Sequence, residues 1–178
     1  MDRKNEKLVS ALDYKGVVFE LVECPDVIWV GCVDYAGNNS DESDIDATYK
    51  RYSEKLADVA KQELINPDNS AALSINYGSE DKPCGIMFAQ ETHSREQDER
   101  YDIFFQPGSL WLRVCDSKTA AALLGKEDPG LYEYFGLLSE VAEANGYRQN
   151  PDINIEIEYR CNKTNSAYAY VPVIKSAA

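Results

Sequence analysis

The sequence predicts an α+β fold built from two pseudo-symmetric βαββ repeats, in which an antiparallel sheet carries helices on one face. Apolar and polar residues alternate over short runs that are typical of half-buried strands, as in Ile153–Arg160. One long amphipathic stretch with helical spacing occurs in each half of the chain, over residues 45–65 and 129–145. Matching segments also recur at a constant spacing, which indicates an internal duplication.

The duplication is visible in single aromatic residues as well as in whole segments. Trp29 returns as Trp111 and Tyr77 returns as Tyr159, in both cases 82 residues later (111 − 29 and 159 − 77). This period is too long for a solenoid repeat, so we interpret the repeats as half-domains over about 17–90 and 101–175. We expect Trp29 to superpose on Trp111 and Tyr77 on Tyr159.

The elements follow in order along the chain. Residues 1–16 are charged and mixed in character, and we expect a flexible lead-in. The predicted first half consists of strands 17–23 and 27–33, the helix 45–65, and strands 73–78 and 85–90. The predicted second half consists of strands 101–106 and 109–115, a short helix 117–124, the helix 129–145, and a terminal hairpin of strands 153–160 and 167–174. Turn signals such as Cys24-Pro25-Asp26 and Pro107-Gly108 separate the strands.

Composition excludes several classes of function. A net charge of −13 and a pI near 4.5 argue against a nucleic-acid partner, because phosphates require a basic surface. The sequence contains no apolar run of membrane-spanning length and no signal peptide, so we expect a cytoplasmic protein without a membrane partner. One histidine and five widely spaced cysteines do not form a zinc-binding pattern, and we assign no metal ligands and no cofactor.

Catalytic motifs are missing from the sequence. It contains no GxSxG, HExxH or phosphate-binding loop, and its single histidine, His93, falls in a charged run between the halves. A Glu/Tyr pair could perform general acid–base chemistry if burial tuned the pKa values of both groups. We therefore assign no catalytic residues, and the sequence favours a binding protein over an enzyme.

The phase of each strand separates a predicted core face from an opposite face. Aliphatic residues such as Val30, Leu112 and Ile157 are expected to pack against the helices. Their out-of-phase neighbours are expected on the other face: Trp29, Trp111, Arg113, Asn76, Glu156 and Glu158.

Each residue on that opposite face has two interpretations. The two tryptophans either form the wall of a pocket or fill the core between the halves. The same two interpretations apply to Tyr168 and Tyr170. The carboxylates of Glu156 and Glu158 are either solvated, or desolvated beside aromatic rings, where they would favour a cation.

Four segments carry a resemblance to a known family. They are VIWVGCVDYAG, LSINYG, DPGLYEYFGLLSEVAEANGY and INIEIEYR with AYAYVPVIK, within residues 17–175. The chain resembles the GyrI-like small-molecule-binding domain, which is also the effector-binding domain of AraC- and MerR-type transcription regulators. That resemblance implies tandem strand–helix–strand–strand units with a ligand groove between the halves. Because the chain lacks the helix-turn-helix of the regulators, we expect a stand-alone form.

The resemblance also indicates where a ligand would bind. An acidic residue on the penultimate strand, just before a tyrosine, meets lipophilic cations in the family. Many members place a glutamate two residues before this tyrosine, whereas this chain has Ile157 there, with Glu156 and Glu158 on either side. The candidate ligand-binding residues are Glu156, Glu158, Trp111, Trp29, Tyr168, Tyr170, Asn76, Arg113 and Tyr134.

We favour Glu156 among the two carboxylates because it lies at the centre of the predicted strand. Glu158 is then a rim charge or a partner of Arg113.

The predicted function is a stand-alone protein that binds lipophilic or cationic small molecules in an aromatic and acidic groove. One alternative is a hydrolase of strained-ring electrophilic compounds that uses a groove Glu and a Tyr. Another is an acidic protein-interaction module of the gyrase-inhibitor type, with a basic protein as its partner.

Overall fold

A computed structural model describes residues 5–35, 42–59, 64–77 and 82–176. Its strands are β1 Lys7–Tyr14, β2 Val17–Cys24, β3 Val27–Asp34, β4 Asn69–Ile75, β5 Gly85–Thr92, β6 Asp102–Gln106, β7 Ser109–Cys115, β8 Tyr147–Gln149, β9 Ile155–Cys161 and β10 Ser166–Lys175. Its helices are α1 Glu42–Val59, α2 Lys118–Leu123 and α3 Tyr134–Ala144, and a short 3₁₀ helix, Leu131–Glu133, leads into α3. Both long helices predicted from the sequence are therefore present.

The strands form one antiparallel sheet in the order β1-β2-β7-β10-β9-β4-β5-β3-β6, and β8 pairs with the end of β10. The two halves meet in the middle of the sheet, where β4 pairs with β9 and Leu73 lies opposite Ile157. The outer strands are exchanged, because β2 of the first half pairs with β7 and β6 of the second half pairs with β3.

Both long helices lie on the same face of the sheet. Phe88 on β5 contacts Tyr52 of α1 at a ring-centroid distance of 6.2 Å. The strand registers place Phe88 in a row with Ala72, Glu158 and Ala169, which therefore share its face. Ala169 belongs to the apolar core on which α3 packs. The predicted α+β architecture, an antiparallel sheet with helices on one face, is confirmed.

Local signals in the sequence set the ends of α2 and α3. The Ser117 hydroxyl accepts a hydrogen bond from the Ala120 N–H at 3.1 Å and caps α2. Before α3, the Glu133 carboxylate accepts a hydrogen bond from the Gly130 N–H at 2.8 Å. Gly146 adopts φ = +78° just after α3, a conformation that favours glycine at a helix end.

Apolar residues fill both faces of the sheet. On the helix face, Phe19, Leu112 and Val171 form one core with α3. On the opposite face, Trp29 and Trp111 belong to a second core, and each is 0% exposed. Strands β3, β7 and β10 are thus buried on both sides over much of their length, so apolar character alone does not reveal which face their residues occupy.

Where a flexible lead-in was expected over residues 1–16, the described part of that segment, residues 5–16, contains a strand. Lys7–Tyr14 forms β1 and pairs with β2 along its length. The Glu6 side chain is 2% exposed and forms an ion pair with Arg113 at 2.6 Å. Backbone pairing and this distant ion pair explain an order that the local composition did not indicate.

The duplication is real for some strands but its offset is not constant. β3 and β7 begin 82 residues apart (109 − 27), in agreement with the equivalence of Trp29 and Trp111. β4 and β9 begin 86 residues apart (155 − 69). The predicted equivalence of Tyr77 and Tyr159 is wrong. Tyr77 follows the end of β4 and is 73% exposed, whereas Tyr159 lies inside β9 and is 2% exposed.

The first long helix does not extend to its predicted end at residue 65. α1 is described to Val59, and Leu64 already forms an isolated bridge with Thr92. Residues 36–41, between β3 and α1, lie outside the described residues. None of the helices that the structure describes has the length and apolar character needed to cross a membrane.

Candidate ligand-binding groove

A groove with a volume of about 1200 Å³ lies on the helix face of the sheet, between the two halves. One wall is α1, which contributes Ile45, Thr48, Tyr49 and Tyr52. The other wall is the 3₁₀ helix and the start of α3, which contribute Tyr132, Phe135, Gly136 and Ser139. The floor is formed by β4, β5 and β9. This volume exceeds that of a typical drug-sized pocket.

The strand registers arrange the floor as rows of three side chains across β5, β4 and β9. The rows are Ile86, Ser74 and Glu156, and Phe88, Ala72 and Glu158; Ser70 lies opposite Arg160 in the next row, and Gln90 also lines the groove from β5. The middle strand carries only small side chains in these rows. A ligand can therefore approach the backbone of β4 while it contacts larger groups on both sides.

Aromatic rings cluster at the α1 side of the groove. The Tyr49 ring packs edge-on against Phe88 at 5.2 Å, and the Tyr52 ring lies 6.2 Å from the same phenylalanine. Burial raises the pKa of the Tyr52 hydroxyl above its ordinary value. Tyr49 and Tyr132 are largely exposed at opposite rims. Together these residues give the groove flat apolar surfaces suited to an aromatic ligand.

Two carboxylates project into the groove from β9. Glu156 and Glu158 are half-buried, and they lie two residues apart, which corresponds to a separation of about 6.6 Å along the strand. Burial raises the pKa of both carboxyl groups above its ordinary value. A hydrogen bond from the Gln149 amide at 3.4 Å partly offsets this effect for Glu156, and the charge of Arg160 partly offsets it for Glu158. Their negative charges therefore lack full compensation.

The observed bounds of β9 change which carboxylate is central. The strand is Ile155–Cys161, so Glu158 is its middle residue and Glu156 is its second. The criterion that favoured Glu156 in the sequence analysis thus favours Glu158. Glu158 is also not a partner of Arg113, which lies on the opposite face of the sheet.

The two tryptophans do not line the groove. Trp29 and Trp111 lie in the core on the helix-free face, and the Trp29 Nε1–H donates to Gln106 Oε1 at 2.9 Å. They close the core, which is the alternative to a pocket wall. The prediction that these tryptophans share a face with Glu156 and Glu158 is wrong. Because β3 is buried on both faces, its apolar residues did not show which face Trp29 occupies.

Arg113 and its neighbours form a separate buried cluster on the helix-free face. The Arg113 guanidinium is an ion-pair partner of Glu6 at 2.6 Å and Glu20 at 2.7 Å, and it donates to the Tyr170 hydroxyl at 3.1 Å. Its centre also lies 5.0 Å from the Tyr168 ring centroid. These three predicted site residues therefore belong to one structural network outside the groove.

The remaining two candidates are also outside the groove lining. Tyr134 is buried, and its hydroxyl donates to Asp116 at 2.7 Å. Asn76 adopts φ = +55° in the turn after β4, and its amide donates to the Pro83 carbonyl at 3.2 Å. Of the nine predicted residues, only Glu156 and Glu158 line this groove.

Sequence reasoning missed several lining residues that left a signal. Along β4, the buried Ala71, Leu73 and Ile75 alternate with Ser70, Ala72 and Ser74. One face of this strand therefore carries only small side chains. Phe88 lies in the row next to Ala72, and it is only half-buried. Small residues beside a half-buried ring are typical of a groove floor.

Protein-family models and curated protein sequences give no match to this chain. The chain is, however, similar to several solved structures. A putative bacterial transcription regulation protein from Staphylococcus aureus MU50 has a TM-score of 0.59 and 15% identity, over 89% of this chain and 99% of that chain. SAV2435 bound to tetraphenylphosphonium has a TM-score of 0.58 and 12% identity, over 88% of this chain and 93% of that chain.

The C-terminal domain of EcmrR is similar to the same degree, with a TM-score of 0.58 and 15% identity over 88% of this chain and 97% of that chain. At these low identities, the TM-scores of 0.58 to 0.59 show a shared fold. The chain therefore has the fold of the GyrI-like effector-binding domain that its sequence resembles.

Proposed function

We propose that this protein binds lipophilic aromatic cations in the groove between its halves. The observation that carries the proposal is the position of Glu158. It is a half-buried carboxylate at the centre of β9, one of the three floor strands, and it accepts no hydrogen bond from any residue within the described ranges. Its row on the floor also contains Phe88, which packs against the aromatic residues of α1.

The physical argument concerns the cost of a desolvated charge. A carboxylate removed from water without a partner is unfavourable, and burial raises the pKa of Glu158 for this reason. A bound cation would remove that cost, and the negative faces of nearby rings would add to its attraction. A lipophilic cation satisfies both requirements, because its apolar groups cover the rings while its charge faces the carboxylate.

The fold comparison supports this choice of ligand class. SAV2435, whose fold the chain shares, was solved with tetraphenylphosphonium bound. That ligand combines a delocalised positive charge with four phenyl rings. A groove of about 1200 Å³ with aromatic walls has room for a molecule of this kind.

The test compares two ions of nearly equal size and shape and opposite charge. Tetraphenylphosphonium and tetraphenylborate are titrated into the protein by calorimetry at neutral pH. We expect micromolar binding of the phosphonium, about −8 kcal/mol, and at least tenfold weaker binding of the borate. Equal affinity for the two ions would contradict the role of the carboxylates.

Variants then locate the effect. Glu158→Gln should weaken phosphonium binding by about 1–3 kcal/mol, the scale of a hydrogen bond or contact to a charged group. Glu143→Gln is the matched control, because Glu143 is exposed on α3 and does not line the groove. The same loss in both variants would show a general effect of net charge. The hydrolase and protein-interaction alternatives remain predictions.

A further inference from the structure

The charges on the floor of the groove follow an order along β9. Glu156, Glu158 and Arg160 project from alternate positions of the same strand face, and all three line the groove. The acidic end is near Ile86 and Ser74, and the basic end is near Gln90 and Ser70. A ligand that lies along β9 therefore meets two negative groups and then a positive one.

Arg160 is available to a ligand. Its side chain is exposed, and within the described part of the chain it makes neither an ion pair nor a hydrogen bond. The backbone positions of Glu158 and Arg160 are about 6.6 Å apart, two strand rises. The charge of Arg160 also lowers the pKa of Glu158 in part, in agreement with this proximity.

A simple cation and a zwitterion should use this floor differently. Arg160 repels a ligand that carries only positive charge, and it weakens the field of Glu158 at the same time. A ligand with an additional carboxylate or sulfonate gains a partner for that group at the guanidinium, which suits planar oxyanions. The position of Arg160 thus favours ligands that carry both charges.

We propose that the groove prefers zwitterionic aromatic ligands, with the cationic group over Glu158 and an oxyanion at Arg160. This inference rests on the proposed function and adds the class of ligand and the orientation in which it binds. The span between the two charges of such a ligand is set by the spacing of the two side chains on β9.

The experiment uses a dye and its ester. Rhodamine B carries a free carboxylate and is a zwitterion at neutral pH, whereas its ethyl ester is a cation with the same aromatic system. Both are titrated by fluorescence anisotropy against the full chain and against Arg160→Gln. Arg148→Gln is the control, because Arg148 is an exposed arginine on β8 that does not line the groove.

The expected result is weaker binding of the zwitterion without weaker binding of the cation. Arg160→Gln should weaken binding of rhodamine B about fivefold, the upper range for an exposed ion pair, and leave the ester equally or more tightly bound. Arg148→Gln should change neither affinity. An equal change for both dyes in Arg160→Gln, or none for rhodamine B, would overturn the inference.

Glu158→Gln separates this inference from the proposed function. If the ester binds and Glu158→Gln weakens it, the cation site stands, and the Arg160 result alone decides the preference for zwitterions. If the ester does not bind, or binds equally well to Glu158→Gln, the proposed cation site fails and the inference fails with it.

Discussion

Replacement of Arg113 by methionine should destabilise the fold without weakening ligand binding. The guanidinium is buried, and it forms ion pairs with Glu6 at 2.6 Å and with Glu20 at 2.7 Å. In Arg113→Met the Glu6 carboxylate, 2% exposed, would lose its cation inside the protein. Such a loss costs about 3–5 kcal/mol, because the remaining charge is buried without compensation.

This magnitude is readily measured. For a chain of 178 residues, 1 kcal/mol corresponds to a shift of about 2–4 °C in Tm, so we expect a decrease of roughly 6–20 °C. Urea denaturation gives the free energy of unfolding independently and shows whether the denaturant slope changes. Arg148→Met, at an exposed position on β8, should change stability by under about 0.5 kcal/mol and is the matched control.

A double mutant tests the cause. Glu6→Gln combined with Arg113→Met removes both charges, so its cost should be clearly smaller than the sum of the two single costs. Additive costs, or a loss under about 1 kcal/mol in Arg113→Met, would refute the buried ion pair as the source of stability. Reduced phosphonium affinity in the folded Arg113→Met protein would restore Arg113 as a binding residue.

Three further predictions concern the groove and the sheet. Because burial raises the pKa of Glu158, its charge opposes folding, and stability should fall as pH rises from the unfolded-state pKa through the raised folded-state pKa. Glu158→Gln should therefore be more stable than the parent at neutral pH and equal to it in acid, by denaturation at several pH values; a less stable variant at neutral pH would contradict this. Phosphonium affinity should rise with pH through the same window, and a flat calorimetric profile would exclude the carboxylates. Gly31→Ala should cost more than about 3 kcal/mol in urea denaturation, because a Cβ there would lie 1.9 Å from the Phe88 carbonyl oxygen; a variant of parental stability would refute this close approach.

The strand and helix order could be predicted from the sequence because local patterns determine it. β9 and β10 follow the alternation found in the terminal hairpin, and β7 has the predicted bounds, Ser109–Cys115. α3 ends at Ala144, one residue before the predicted end at residue 145. These signals depend on near neighbours along the chain.

The site could not be predicted as well because it depends on which face each strand presents. Trp29 and Val30 are adjacent on β3 and point to opposite faces, yet each is 0% exposed. The sequence of β3 therefore does not distinguish a buried face from an exposed one. β9 does alternate, with Glu156 and Glu158 on one face and Ile155 and Ile157 on the other. Its two carboxylates line the groove. The residues of β3 and β9 that share a face are determined by the strand pairing that runs from β3 through β5 and β4 to β9. The local sequence does not encode this pairing.

The order of the N-terminal segment was missed for a related reason. The ion pair of Glu6 joins residues 107 positions apart in the chain. No local pattern at Glu6 indicates that its partner lies on β7. Contacts of such long range appear only when the sheet order is known.

The exchange of outer strands has a consequence for how the groove can respond to ligands. Because β2 pairs with β7 and β6 with β3, each half contributes a strand to the far side of the other, and β4 joins β9 between them. A hinge that separates the halves would have to break backbone pairing at the β4–β9 contact and pull apart both exchanged strands. We therefore expect the continuous sheet to hold the floor of the groove at a constant width, so that any adjustment to ligands of different size would come from α1, from the start of α3 and from the side chains on the floor.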